Sequence, residues 1–265
     1  PFAIISVYED LFHNTSQKIR LFGMLASCFI FFYINPVDFP KIDIPFFGDL
    51  INVSPVYYIF FTFSIMVIMN GMNFIDGMNG ILGFTLLSQI TALILLSYVS
   101  SDYEFIDILF IISFSLAIFI FFNYPFGKVF AGDFGAYFYG FLIAMLVIIY
   151  FGKNDQLISW KAILLLFYPS MEVLFSFVRK WMSANGNPLD PDDLHLHTMI
   201  YKHLNKKKPQ ASNNSLVSLY LAPFIITPPI TVIYLESLEE VLLCLLALML
   251  IYVFYYQQFT RKIKS

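Results

Sequence analysis

Residues 70–80 read NGMNFIDGMNG: three asparagines, three glycines and Asp76 in eleven positions. They stand between two apolar runs, 56–69 and 81–99, that can each lie in a bilayer. Polar groups at membrane depth are costly and by default mark a site facing water or a polar ligand. Asp76 offers a hard anionic oxygen, and the Asn amides offer neutral donors and acceptors, a set that suits a metal–nucleotide site. If the preceding helix continues, Asn73 and Asp76 share a face, with Asn79 drifting around it. An Asn amide can also match the edge of uracil, donating to a ring carbonyl and accepting from the ring N–H. A Gly/Asn-rich turn between two helices uses the same residue types, so this stretch needs support from elsewhere in the chain.

Three other stretches supply it. In GKVFAGDFGAYFYG, Gly127–Gly140, Asp133 lies between Gly132 and Gly135 at the start of an apolar helix. There it can cap the helix or ligate a metal ion near a phosphate. With Asp76 and Asp10 expected on the same membrane face, the metal reading is preferred. Glu9-Asp10 places adjacent carboxylates at a helix end, suited to a cation or simply to solvent. The loop 179–215 contains Asp190-Pro191-Asp192-Asp193, a strong helix start. That helix is expected to run to about Asn205 and to end in Lys206-Lys207-Lys208, matched to its dipole. His195, Met199 and Lys202 would line one face, with His197 on another. Two imidazoles and several cations suit a pyrophosphate, whereas zinc would need a third ligand; a solvated amphipathic helix is the plainer alternative. Arg179, which opens the loop, joins the expected substrate-binding residues. Lys18 and Arg20 read as anchors at headgroup level. Glu172 lies inside an apolar segment after Pro169, and nothing in the sequence assigns it a role.

The elements that must position these groups are membrane helices. The chain of 265 residues is 59% hydrophobic and 12% charged, with 32 Phe and 17 Tyr, against roughly 45–50% apolar in soluble domains. We expect an all-α, polytopic bundle forming a single domain over 1–265, with 179–215 as a substrate-binding loop within it. Eight spans are expected, near 19–34, 56–71, 80–99, 105–122, 133–151, 159–178, 216–235 and 240–257, since a crossing takes about 20 apolar residues. If alternate loops share a side, twelve Lys and Arg fall in one set and three in the other (Lys41, Lys153, Lys161). The positive-inside rule then puts the first set, and with it every candidate site residue, in the cytoplasm. Residues 35–55 suggest a small external hairpin. Cys28 and Cys244 lie in apolar runs and read as packing residues. A net charge of −3 gives no reason to expect nucleic acid. The chain opens on Pro1, and we expect N-terminal spans to be missing.

Together the four loops resemble the polyprenyl-phosphate N-acetylhexosamine-1-phosphate transferases, the glycosyltransferase family 4 that includes WecA-like and MraY-like enzymes. That family shows an acidic pair, an NxxNxxDGxxG loop, a GDxG turn and a D-x-x-H-x-H loop. Here Glu9-Asp10, Asn70–Gly80, Gly132–Gly135 and Asp192–His197 follow in that order. The chain departs from the pattern in having Glu9 for the first Asp, Asn79 where many members carry Asp, and Thr198 after His197 in place of a third His. The resemblance implies transfer of a sugar-1-phosphate, most often an N-acetylhexosamine phosphate, from a UDP-sugar to undecaprenyl phosphate with release of UMP. It also implies a multi-pass protein of the inner membrane with its site facing the cytoplasm, acting in O-antigen or other envelope glycan synthesis. Magnesium, or manganese in its place, would be held by Asp133 and Asn73 with Asp76 in support. Asn79 would read uracil, and His195, His197, Asp192 and Arg179 would bind the donor. Asp10, with Glu9, would orient the lipid phosphate or take its proton. A homodimer is compatible with this reading. Two rival classes share some features: an intramembrane aspartyl protease, through Gly132-Asp133 with Asp76, and a transporter.

Overall fold

A computed structural model describes residues 2–12, 16–42, 48, 53, 55–182 and 193–264. The described residues form helices joined by short turns, with no strand among them. In chain order the helices are α1 Phe2–Phe12, α2 Gln17–Ile34, α3 Val56–Ile75, α4 Ile81–Val99, α5 Tyr103–Asn123 and α6 Gly132–Lys153. They continue with α7 Lys161–Leu165, α8 Phe167–Trp181, α9 Leu196–Lys207, α10 Asn213–Ile225, α11 Thr227–Thr231 and α12 Leu238–Lys264.

Five of these, α3, α4, α5, α6 and α12, are long and apolar enough to cross a membrane. They coincide with five of the eight expected spans. The segment 159–178 is instead two helices, α7 and α8, that meet at Leu166. Segment 216–235 divides into α10 and α11 where Thr227-Pro228-Pro229 begins a new helix. Consecutive prolines lack the N–H groups that would tie them to the preceding turn. The expected span 19–34 lies within α2, which has 18 residues. The external hairpin falls largely outside the described residues, and 35–42 run without strand pairing.

Helix α3 is the centre of the bundle, packed along α6 on one side and α8 on the other. Its approach to α8 is set by Gly71: a Cβ there would lie 2.4 Å from the carbonyl oxygen of Pro169. Membrane helices gain little from excluding water from one another, so small residues that bring backbones together carry much of the association. On the periphery, α5 and α12 turn large side chains outward, among them Ile111, Phe114, Phe121, Leu243 and Phe254. Such a surface suits lipid as solvent. The loops separate to the two ends of the bundle as alternation requires. At one end Asp38 meets Gly152 and Ser159 bonds Lys41. At the other, the ends of α1, α3 and α12 meet the starts of α2 and α6 and helix α9.

Candidate active site

The site forms around the first turn of α6. Gly132 has φ +67, a left-handed conformation that favours glycine. A Cβ at Gly132 would lie 3.2 Å from both carboxylate oxygens of Asp10. Asp10, at the end of α1, reaches across to accept from the backbone N–H groups of Asp133 (2.8 Å) and Phe134 (2.9 Å). A carboxylate at a helix N-terminus satisfies donors the helix leaves unpaired and lies at the positive end of its dipole. The helix is therefore capped by Asp10 from a different element, and Asp133, in the first turn, points its carboxylate elsewhere. Asp133 Oδ1 accepts from the Asn73 amide at 2.8 Å, and Oδ2 meets the Arg20 guanidinium at 3.1 Å. Asp76 completes the cluster: its Oδ2 accepts from the Gly132 N–H at 3.1 Å.

Helix α3 ends at Asp76, whose own N–H bonds back to the Asn73 carbonyl. That places Asn73 and Asp76 one turn apart on a single face, as their spacing requires. Asn79 does not continue the face, because the chain leaves the helix at Asp76 and turns through Gly80 at φ +84. Asn79 is buried; its side chain donates to the Pro125 carbonyl (2.8 Å), and its backbone N–H is held by Asn214 (2.6 Å). In this arrangement its amide ties the 76–80 turn to the turn before α6, so a uracil contact would require exchange of the Pro125 bond.

Burial pushes the Asp76 carboxyl up to about 7, the Gly132 and Ala131 N–H groups pull it back, and the charges of Asp133 and Asp10 add to the rise. Three carboxylates share this corner with one guanidinium, an excess of negative charge that a cation would relieve. Among the described residues, no three Asp, Glu, His or Cys side chains cage an ion on their own. Magnesium, however, is usually held by one or two carboxylates plus water and substrate phosphate. Asp133 and Asp76, with the amide oxygen of Asn73, fit it in donor type, while Arg20 is a competing cation on Asp133.

The histidine loop packs against the same turn. His195 precedes α9 in extended conformation as its N-cap residue, so the helix begins later than its Asp-rich start suggests. This backbone geometry, rather than a helical face, sets the side chain: the His195 and His197 rings lie parallel, 5.4 Å apart with 3° between their planes. The ring of His195 packs on Phe74 at 4.7 Å, and His197 Nε2 lies 3.6 Å from where a Gly77 side chain would begin. Behind them is Glu172, which is 1% exposed; its Oε2 is 3.1 Å from His195 Nδ1 and its Oε1 4.0 Å from His197 Nδ1. Burial holds His197 down to about 4, against the opposing pull of the Glu172 charge. Arg179, in the last turn of α8, donates to Ser176 at 3.1 Å. Glu9 is half-buried on α1, and Asp192 lies outside the described residues. Asp193 pairs with Lys202 on the exposed side of α9.

Two residues of this constellation escaped the sequence reading. Arg20 was legible only as a headgroup anchor, since nothing along the chain pairs it with a residue 113 positions away. Glu172 carried the signal of an ionisable group inside an apolar segment, without its partners.

Comparison with known proteins places the chain in the family that the four loops resemble. The family model "Glycosyl transferase family 4" matches residues 1–151, and the chain belongs to that family. It is 26% identical over 209 residues, 78% of the chain, to the undecaprenyl-phosphate alpha-N-acetylglucosaminyl 1-phosphate transferase of Thermotoga maritima. It is 35% identical over 147 residues, 53% of the chain, to a putative UDP-N-acetylglucosamine–dolichyl-phosphate N-acetylglucosaminephosphotransferase of Saccharolobus solfataricus. A phospho-N-acetylmuramoyl-pentapeptide-transferase of Streptococcus agalactiae matches at 22% over 144 residues, 54% of the chain and 43% of its own length. The chain spans 61% of the length of the first of these relatives and 44% of the second. Membership of this family favours a transferase over the protease and transporter readings.

Proposed function

We propose that this chain carries the site of a transferase that moves a sugar-1-phosphate from a UDP-sugar to a polyprenyl phosphate such as undecaprenyl phosphate. A phosphate oxygen of the acceptor attacks the β-phosphorus of the donor. The bond from that phosphorus to the oxygen bridging the two phosphates breaks, UMP leaves, and a polyprenyl diphospho-sugar remains. The observation that carries this reading is the meeting of Asp10, Asp76 and Asp133, from three separate helices, on one helix N-terminus. The names of the relatives, which include N-acetylglucosaminyl 1-phosphate transferases, support an N-acetylhexosamine as the sugar and envelope glycan synthesis as the setting.

The acceptor phosphate is already largely anionic at neutral pH. The larger obstacle is bringing one anion against another, and positioned positive charge offsets it. Asp133 and Asp76, with the Asn73 amide oxygen, would hold magnesium, which supplies charge neutralisation between the two phosphates. Arg20 adds a fixed cation at the same corner. His195 and His197 present their rings beside the 76–80 turn, where they would bind the donor diphosphate. Asp10 fixes the start of α6 and, through it, the placement of Asp133, in addition to any contact with the lipid phosphate. The basic loops lie at the same end of the bundle as this cluster, which supports a cytoplasmic site at the inner membrane.

Asp133→Ala should abolish transfer while the full-length protein still inserts and purifies as a folded species. Turnover at the wild-type rate in that variant would remove Asp133 from the site.

A further inference from the structure

Glu172 is a carboxylate inside the bundle, 1% exposed, with no place in the site as the family motifs define it. It faces two imidazoles that come from a different element. A carboxylate only accepts hydrogen bonds, so the contact of 3.1 Å requires the proton of His195 to be on Nδ1, donating to Oε2. His197 turns its Nδ1 to the other oxygen of the same group at 4.0 Å, beyond hydrogen-bond length, and neither atom closes a hydrogen bond among the described residues, so this ring is held by charge and not by a bond. The rings are parallel within 3°. With Nδ1 of each directed at Glu172, the Nε2 edges of both rings face away from it, and that of His197 faces Gly77 in the 76–80 turn. The buried hydroxyls of Tyr168 and Tyr252 lie beside the same carboxylate.

We propose that Glu172 is a positioning residue: one buried carboxylate takes the Nδ1 side of both His195 and His197 and so commits both rings to turn Nε2 away from it, that of His197 toward the 76–80 turn. In a neutral imidazole one nitrogen donates and the other accepts, and the partner of the first decides which face the second offers. An anionic partner behind a functional histidine fixes both tautomer and orientation, as it does behind metal-bound histidines. Acting on two rings at once, through a hydrogen bond to His195 and through its charge on His197, Glu172 couples their orientations.

Nitrogen NMR of full-length protein in lipid nanodiscs, labelled at histidine and assigned with His195→Ala and His197→Ala, tests this directly. Both Nδ1 atoms should be protonated in the wild type, and Glu172→Gln should shift both resonance pairs together. An Nε2–H tautomer at either ring in the wild type would overturn the proposal. So would a spectrum unmoved by Glu172→Gln. If that variant fails to fold, the wild-type spectrum alone decides. A kinetic arm rests on the transferase reading above. Glu172→Gln should raise KM for the UDP-sugar by about 10-fold with a smaller change in kcat. In a His195→Ala, His197→Ala background the same change should alter KM by less than about twofold. A full effect in that background would show that Glu172 acts other than through the histidines. A wild-type protein without transferase activity would overturn the functional reading, and the nitrogen spectrum would still decide the tautomers.

Discussion

Asp76 illustrates how one side chain can be both structural and chemical. One of its oxygens holds the Gly132 N–H, and burial among other carboxylates raises its pKa to about 7. In the unfolded chain an aspartate titrates near 3.8. Between those values the folded protein holds a proton that the unfolded chain has lost. Protonation therefore favours the fold most below about pH 4, and the benefit disappears as pH rises toward 7. In chelator-treated protein, stability should fall over that window, and Asp76→Asn should flatten the fall. Thermal unfolding at a series of pH values measures this; an equally steep profile in the variant would mean that another group dominates. Where Asp76 binds a divalent ion the proton must leave first, so addition of magnesium should restore stability near pH 7 in the wild type and less so in Asp76→Asn.

Among the elements, α3 carries the site because it does two things at once. Its C-terminal turn supplies Asn73 and Asp76, and its packing against α8 sets where Glu172 and the histidine loop stand. Gly71 links the two roles. A methyl group placed there meets the Pro169 carbonyl at 2.4 Å, too close for either backbone to remain in place. Gly71→Ala should therefore cost about 1–3 kcal/mol through overpacking, read as a lower midpoint of unfolding in detergent. It should also weaken donor binding, because α8 moves away carrying Glu172. Wild-type stability in that variant would show that the two helices can separate freely. Much of this arrangement was legible in the sequence. The spacing of Asn73 and Asp76, the glycines around Asp133 and the order of the four loops all follow from local pattern. What the sequence hid is long-range. Asp10 caps a helix that begins more than a hundred residues later, Arg20 pairs with Asp133, and Glu172 lies behind the histidines. Periodicity also placed His195 and His197 on different helical faces, whereas an extended residue before α9 brings them parallel. A Pro-rich segment read as one span is two helices, because hydropathy does not register the missing N–H groups.

At the scale of the whole molecule, function is a matter of which end of the bundle the turns share. The ends of α1 and α3, the starts of α2 and α6, and the histidine loop all gather at the basic end. The opposite end holds the outer loops and no comparable cluster among the described residues. A lipid phosphate lies at headgroup depth and a nucleotide arrives from water, so a site at the bundle's end is reachable by both. Of the possible transfers between them, moving a sugar with its phosphate differs from moving a sugar alone in the fate of the donor's β-phosphoryl group. The measurement follows from that. Membranes containing full-length protein are incubated with UDP-N-acetylglucosamine carrying radioactive β-phosphorus, in parallel with donor labelled at the α-phosphorus, and extracted into organic solvent. The β-label should enter the lipid fraction in a magnesium-dependent manner, while the α-label should stay in water as UMP. Retention of the β-label in water under all conditions would contradict sugar-phosphate transfer from this donor at the Asp10, Asp76 and Asp133 site.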